Sequence, residues 1–288
     1  MAQFDTSFRA MNTDIDVLIE APMPPIDAFI GVRMLFEAQE AMFSRFLPES
    51  LLSRLNRGET VTDARFAAAV RLAFEANEFT GGLFNPMVLP ALAEAGYDRS
   101  FEGVGGGQPR GQEVPEPKEC LRVSGDSVEL VRGALDLGGI VKGWTVDLAV
   151  EQLSRQHEDV FVNAGGDLRC AGSEEGGDGW CVGVDGPDGG SAWEGWMRGA
   201  LATSTIAKRR WAAQDGSNAH HLIDPATGMP ATQGFVQASG WSDETWWAEC
   251  WAKAVVIGGV AAATRAAEAG IRVLAIGQTG RSEWFGPG

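Results

Sequence analysis

Apolar and polar positions alternate closely enough over residues 4–20 to predict an opening strand or hairpin arm, ending in DIDVLIE. The period then changes. AFIGVRMLFEAQEAMF has the spacing of an amphipathic helix and runs into SRFLPESLLSRLN, where Pro48 and Ser50 predict a break and a fresh helix start. A further helix is predicted from about Asp63 to Asn77, and a short one after Pro86. GVGGGQPRGQEVPEPKE, residues 103–119, has no period and is rich in glycine, proline and charge, so a mobile surface loop between two halves is expected there.

Beyond it, short strands are predicted near 120–137 and a helix from about Lys142 to Leu153. Strands and tight turns fill about 159–203, with Gly/Asp-rich turns at SEEGGDG and GPDGGS. Two helices, about 246–258 and 260–269, precede a last strand, IRVLAIG. Helices and short strands alternate without regular βαβ spacing, which points to an α+β fold rather than a doubly wound sheet.

Composition narrows the function classes. A chain of 288 residues, 44% hydrophobic and 22% charged, is long enough for one large domain or two modest ones with a sizeable core. It has no apolar run of roughly 18 residues, so no membrane insertion is expected. MAQFDTSFRAMNTDIDVLIE lacks the basic segment, apolar core and cleavage site of a signal peptide, so a cytoplasmic protein is expected. A formal charge of -16 repels phosphate backbones and anionic membranes, so nucleic acid is not an expected partner. Cys120, Cys170, Cys181 and Cys250 are scattered without CxxC spacing, which argues against a zinc site or a disulfide framework.

Four stretches are candidates for chemistry. In LDLGGIVKGWTVDLAVEQL, residues 135–153, glycines lead from a strand into a helix, either as a plain junction or as a place where backbone N–H groups meet an anion. VFVNAGGDLRCAG, residues 160–172, is an apolar strand broken by Gly165 and Gly166 and followed by Asp167. HHLIDPATG, residues 220–228, holds two of the chain's three histidines just ahead of a turn fixed by Pro225. On an extended segment the two rings alternate faces, so one points inward, either as a satisfied core residue or as a proton acceptor. In WWAECWAKAVVIGG, residues 246–259, Glu249 and Lys253 lie four apart on one helix face, flanked by Trp246 and Val256, and a half-buried pair is expected.

The order of these stretches is more specific than any one of them. Together with FRAMNTDIDV, FSRFLPESLLSRLN and GGLFNPMVLPALAEAGYD, the stretches LDLGGIVKGWTVD, VNAGGDL and HHLIDPATGMP resemble the ApbE family of FAD:protein FMN transferases from about Phe8 to Ala275. Asn12 stands where that family usually has glycine. The resemblance implies a single domain over 1–288, of mixed strands and helices in two lobes, about 1–102 and 118–288, with the loop 103–117 between them and the flavin nucleotide site at their junction. It also implies an activity: FMN moves from FAD onto a threonine or serine hydroxyl of an acceptor flavoprotein, and AMP is released. Such a reaction needs a base for the hydroxyl and cations or N–H donors for the phosphates.

By the same resemblance His221 is the catalytic or phosphate-orienting histidine, and Asp224 is grouped with it as the brace of its turn. Met11, Phe46, Gly96, Tyr97, Asp136, Lys142 and Ile223 are expected to line the FAD site, with Gly165, Gly166 and Asp167 at the glycine turn. The family's Mg²⁺ site uses an Asp, a Thr four residues later and a carbonyl near Gly139; here those two side-chain positions hold Glu249 and Lys253. An ammonium is no metal ligand, so the alternatives are a weakened Mg²⁺ site or Lys253 in the cation's place. Two other activities share these residues: carriage of FAD without transfer, and hydrolysis of FAD to FMN and AMP.

Overall fold

The opening alternation folds as a hairpin of β1 (Ala2–Ala10) and β2 (Thr13–Ala21), paired from Ala2 opposite Ala21 to Ala10 opposite Thr13. Only Met11 and Asn12 remain for the turn, and both take positive φ, 51° and 59°. Two-residue turns between twisted strands favour that geometry, and asparagine accepts it more readily than methionine. Met11 is thus held in a strained conformation where the turn meets a large cavity. The computed structural model describes residues 1–98, 107–214, 216, 218–232 and 234–287.

The helix breaks fall where the caps predict. α1 (Ile26–Phe43) buries Val32, Phe36, Gln39 and Phe43, which are three or four apart. Ser50 then opens α2 (Leu51–Asn56) by accepting the Ser53 N–H at 3.0 Å. After the short β3 (Val61–Thr62), Asp63 caps α3 (Ala64–Phe79) on the Phe66 N–H at 2.8 Å. Next come α4 (Leu89–Glu94), α5 (Pro117–Cys120), β4 (Leu121–Ser124), β5 (Ser127–Leu130) and α6 (Val141–Leu153). The strands β6 (Val160–Ala164), β7 (Asp167–Ala171), β8 (Trp180–Asp185), β9 (Ser191–Met197) and β10 (Gly199–Thr205) follow. Four short strands, β11 (Arg210–Ala212), β12 (Asn218–His220), β13 (Ile223–Asp224) and β14 (Met229–Pro230), lead to β15 (Gln237–Ser242). The last elements are α7 (Thr245–Glu268), β16 (Arg272–Ile276) and β17 (Ser282–Phe285). Gly259, at φ 63° and ψ -145°, divides α7 between the two segments that the sequence predicts.

Eight strands form one antiparallel sheet in the order β1-β2-β6-β7-β10-β15-β16-β17, so the fold is α+β. Strand alternation assigns its two faces. Ile15, Val17 and Ile19 of β2 and Val160 and Val162 of β6 are buried with Phe36 of α1 and Val146 and Ala149 of α6. Leu18 and Phe161, of opposite parity, pack instead with Trp180, Val182 and Val184 of β8.

Because β2 pairs with β6, residues 2–21 share a sheet with the C-terminal half, and the boundary at 103–117 separates no sheet of its own. The described part of that expected loop is seated rather than free. Val114 N–H donates to the Pro225 carbonyl at 2.9 Å, and Gln214 N–H donates to the Gly107 carbonyl at 3.0 Å. A Cβ at Gly228 would stand 1.9 Å from the Gln112 oxygen, so the loop lies directly on the 224–228 turn. The remainder, 103–106, is outside the described residues. No helix among the described residues is long and apolar enough to cross a membrane.

Candidate functional site

A cavity of about 730 Å³ lies where the β1–β2 turn, the β6–β7 turn, the 136–142 junction, the 221–223 segment and α7 converge. Glycines bring the walls together. Gly165 and Gly166 make the two-residue β6–β7 turn with φ of 61° and 97°. A Cβ at Gly165 would sit 2.1 Å from Thr13 Oγ1, so the two hairpin turns meet only because residue 165 has no side chain. Gly143 does the same between helices: its Cβ would stand 2.8 Å from Glu249 Oε2 and 2.9 Å from the Thr245 carbonyl.

That close approach positions a buried set of charges. Lys142 Nζ pairs with Asp167 and donates to the Ala164 carbonyl at 2.9 Å. On α7, Lys253 Nζ donates to Glu249 Oε1 at 2.8 Å, while Glu249 Oε2 accepts the Gly143 N–H at 2.9 Å. Burial opposes the Glu249 charge, but Lys253, Lys142 and the Gly143 N–H outweigh it and hold the carboxyl below its usual range. Burial likewise opposes the Lys253 ammonium, and Glu249 with Asp167 outweighs it and raises its pKa. The four side chains sum to zero charge.

The two histidines divide. His220 is buried, with Nε2 2.8 Å from the Ala231 carbonyl and Nδ1 accepting the Leu222 N–H at 3.3 Å. Both nitrogens are used, which fixes a neutral ring protonated on Nε2. His221 lines the cavity, and its enclosed Nδ1 has no hydrogen-bond partner among the described residues. Burial, then the charges of Arg209 and Lys253, pushes its pKa down to about 3. At neutral pH it is an uncharged imidazole beside two cations.

An aromatic wall faces this end. The Arg45 guanidinium lies 4.5 Å from the ring centres of both Phe46 and Tyr97. It donates to the Tyr97 carbonyl at 2.9 Å and stands 3.5 Å from Asp136 Oδ2. Asp136 Oδ1 accepts the Gly138 N–H at 2.7 Å, which fixes the loop entering α6.

Of the residues that the sequence nominates, Met11, Phe46, Tyr97, Asp136, Gly139, Lys142, Gly165, Gly166, Asp167, His221, Ile223, Glu249 and Lys253 line the cavity. Gly96 and Asp224 do not. Gly96, at φ 101°, lies one residue from the wall, where its missing side chain admits the Gly107 backbone. Asp224 turns its carboxylate onto the Ala226 N–H at 3.0 Å and its carbonyl onto Gly228 N–H at 2.8 Å, so it braces the turn after His221 without reaching the cavity. Arg45, Lys208 and Arg209 line the cavity without having been nominated. Arg45 precedes the expected Phe46 directly, and a cation beside an aromatic is the signal that could have found it.

A divalent ion does not fit these side chains. Both Glu249 oxygens are already engaged, one of them by the Lys253 ammonium. The two carboxylates are matched by two ammoniums, so no net negative charge is left for a cation that takes oxygen ligands. Among the described residues no group of three His, Cys, Asp or Glu side chains is arranged to hold a metal.

Known proteins similar to this chain point to one family. The chain is 28% identical over 219 residues to a FAD:protein FMN transferase of Vibrio cholerae, covering 69% of this chain and 63% of that protein. A FAD:protein FMN transferase of Treponema pallidum is 29% identical over 235 residues, covering 68% and 62%. The match thus spans less than two thirds of either relative's length. In fold, the crystal structure of the ApbE protein of Thermotoga maritima superposes with a TM-score of 0.85 at 24% identity, covering 98% of this chain and 96% of that one. The flavin transferase ApbE of Vibrio cholerae superposes with a TM-score of 0.80, covering 99% and 96% at 24% identity. The sequence profile of the ApbE family matches residues 11–275, and the chain belongs to that family.

Proposed function

We propose that this chain transfers FMN from FAD to a threonine or serine hydroxyl of an acceptor flavoprotein and releases AMP. The observation that carries this reading is His221: a neutral ring whose Nδ1 has no hydrogen-bond partner among the described residues, on the wall of a cavity that also presents Lys142 and Lys253. A base and fixed cations in one cleft suit attack by a hydroxyl on a pyrophosphate. The relatives named above carry the same activity in their names.

In the proposed reaction the acceptor oxygen bonds to the FMN-side phosphorus, and the bond from that phosphorus to the bridging oxygen breaks. The bridging oxygen leaves with AMP. The hydroxyl proton passes to His221. Arg209 and Lys253 depress the pKa of the ring, and a bound pyrophosphate offsets both charges, so FAD makes His221 a stronger base than it is in the protein alone. Phe46 and Tyr97 supply aromatic surface for the flavin nucleotide, and Lys208 and Arg209 supply charge for its phosphates.

The test is to incubate the protein with FAD and a candidate acceptor and to follow AMP together with flavin that stays on the denatured acceptor. Equal yields support transfer. AMP with only free FMN shows hydrolysis instead.

A further inference from the structure

The Lys253 ammonium carries more donors than the protein uses. Among the described residues its only hydrogen bond goes to Glu249 Oε1, which leaves two of its three N–H groups without a protein acceptor. Its side chain is only 16% exposed and belongs to the cavity wall, so those donors are not simply turned to bulk water. The strongest acceptor for ammonium donors in such a place is an anionic oxygen.

The path of the side chain gives a second reason. A Cβ at Gly139 would lie 3.3 Å from Lys253 Cε and 3.5 Å from Cδ. The stem therefore crosses the space above Gly139, the backbone position that the family resemblance assigns to a metal-binding carbonyl. Glu249, the carboxylate beside it, is spent on this ammonium and on Gly143.

We infer that Lys253 is the resident cation of this site, binding the pyrophosphate oxygens of a dinucleotide in place of a divalent ion, so that the nucleotide binds without added metal. The inference rests on the FAD reading above. A lysine brings one charge where a divalent ion brings two, and with Lys142 and Lys253 each matched by a carboxylate the net positive charge of the wall comes from Lys208 and Arg209. Because the charge is covalently fixed, chelation does not remove it.

The experiment measures FAD affinity of the full chain by flavin fluorescence, in excess chelator and again in millimolar Mg²⁺. The dissociation constants are expected to agree within about twofold. Mn²⁺ followed by electron paramagnetic resonance is expected to show no stoichiometric bound ion, with or without FAD. Lys253→Thr, which restores an oxygen beside Glu249, is expected to weaken FAD binding at least about tenfold in chelator and to regain it with Mg²⁺. Wild-type binding that needs Mg²⁺, or stoichiometric Mn²⁺ bound with FAD, overturns the inference. The two wild-type measurements decide it even if Lys253→Thr does not fold. Metal-independent FAD binding without flavin on the acceptor refutes transfer but sustains the role of Lys253; flavin transfer to the acceptor together with FAD binding that requires Mg²⁺ does the reverse.

Discussion

Asp147, on α6, accepts the backbone N–H of Thr245, the first residue of α7, at 2.8 Å. Its other oxygen accepts the Trp246 N–H at 3.0 Å. The α7 N-cap residue, Glu244, makes no side-chain cap of its own. One helix therefore caps another, and the placement of Glu249 and Lys253 depends on it. Asp147→Ala is expected to cost about 2–3 kcal/mol, since it removes a cap and leaves two buried N–H groups unpaired. Urea titration checks this, with Asp147→Asn expected to lose less. An unchanged midpoint in Asp147→Ala would show that α7 is positioned by packing alone.

The histidines should separate by experiment. His220→Ala breaks two internal hydrogen bonds and is expected to lower stability by about 1–2 kcal/mol while transfer persists. His221→Ala is expected to reduce transfer about 10²–10⁴-fold with FAD affinity retained, because a base acts on the transition state more than on the bound substrate. Steady-state rates and FAD titrations on both variants decide it. Equal rate losses from the two would contradict the division.

Acid stability follows from the same ring. With its folded pKa at about 3 against an ordinary 6.5, His221 takes up fewer protons folded than unfolded. Its contribution is complete above the ordinary value and is lost as pH falls toward 3. Between pH 7 and 5 the expected loss is about 2 kcal/mol. Asp147 runs the other way: burial raises it to about 6, so it favours the fold below its ordinary 3.8 and loses that contribution as pH rises to 6. Unfolding midpoints at the two pH values, compared between wild type and His221→Ala, should show a flatter acid limb in the variant.

Local signals in the sequence carry most of the elements. Ser50 and Asp63 are caps that can be read from neighbours, and Gly259 splits α7 where two periodic stretches abut. What was not legible depends on residues far apart in the chain. Nothing near residue 143 says that Glu249 fills the space a side chain would need, and nothing near residue 147 shows the α7 N–H groups it accepts. The seating of 107–116 is similar: a stretch of glycine, proline and charge reads as free until its partners at 214, 225 and 228 are known. Most of the cavity wall was legible because its motifs keep the family's order. Asp224 braces the turn after His221 but stays off the cavity wall, because adjacency in sequence says little about which side of a turn a carboxylate takes.

Arg45 offers a test of the aromatic wall. It ties Phe46, Tyr97 and Asp136 together, so Arg45→Ala is expected to raise the FAD dissociation constant about tenfold. Arg45→Lys should not rescue it, because an ammonium lacks the forked donors that reach the Tyr97 carbonyl and Asp136 while the cation lies over both rings. Fluorescence titration of both variants checks this. Full affinity in Arg45→Lys would reduce the contact to charge alone.

Transfer is read from the intact mass of an acceptor flavoprotein after incubation with this chain and FAD, taken alongside the AMP produced. The expected acceptor is heavier by one FMN unit, the gain is lost when its Thr or Ser is replaced by Ala, and AMP forms in equal amount. AMP and free FMN appearing beside an acceptor of unchanged mass would contradict it.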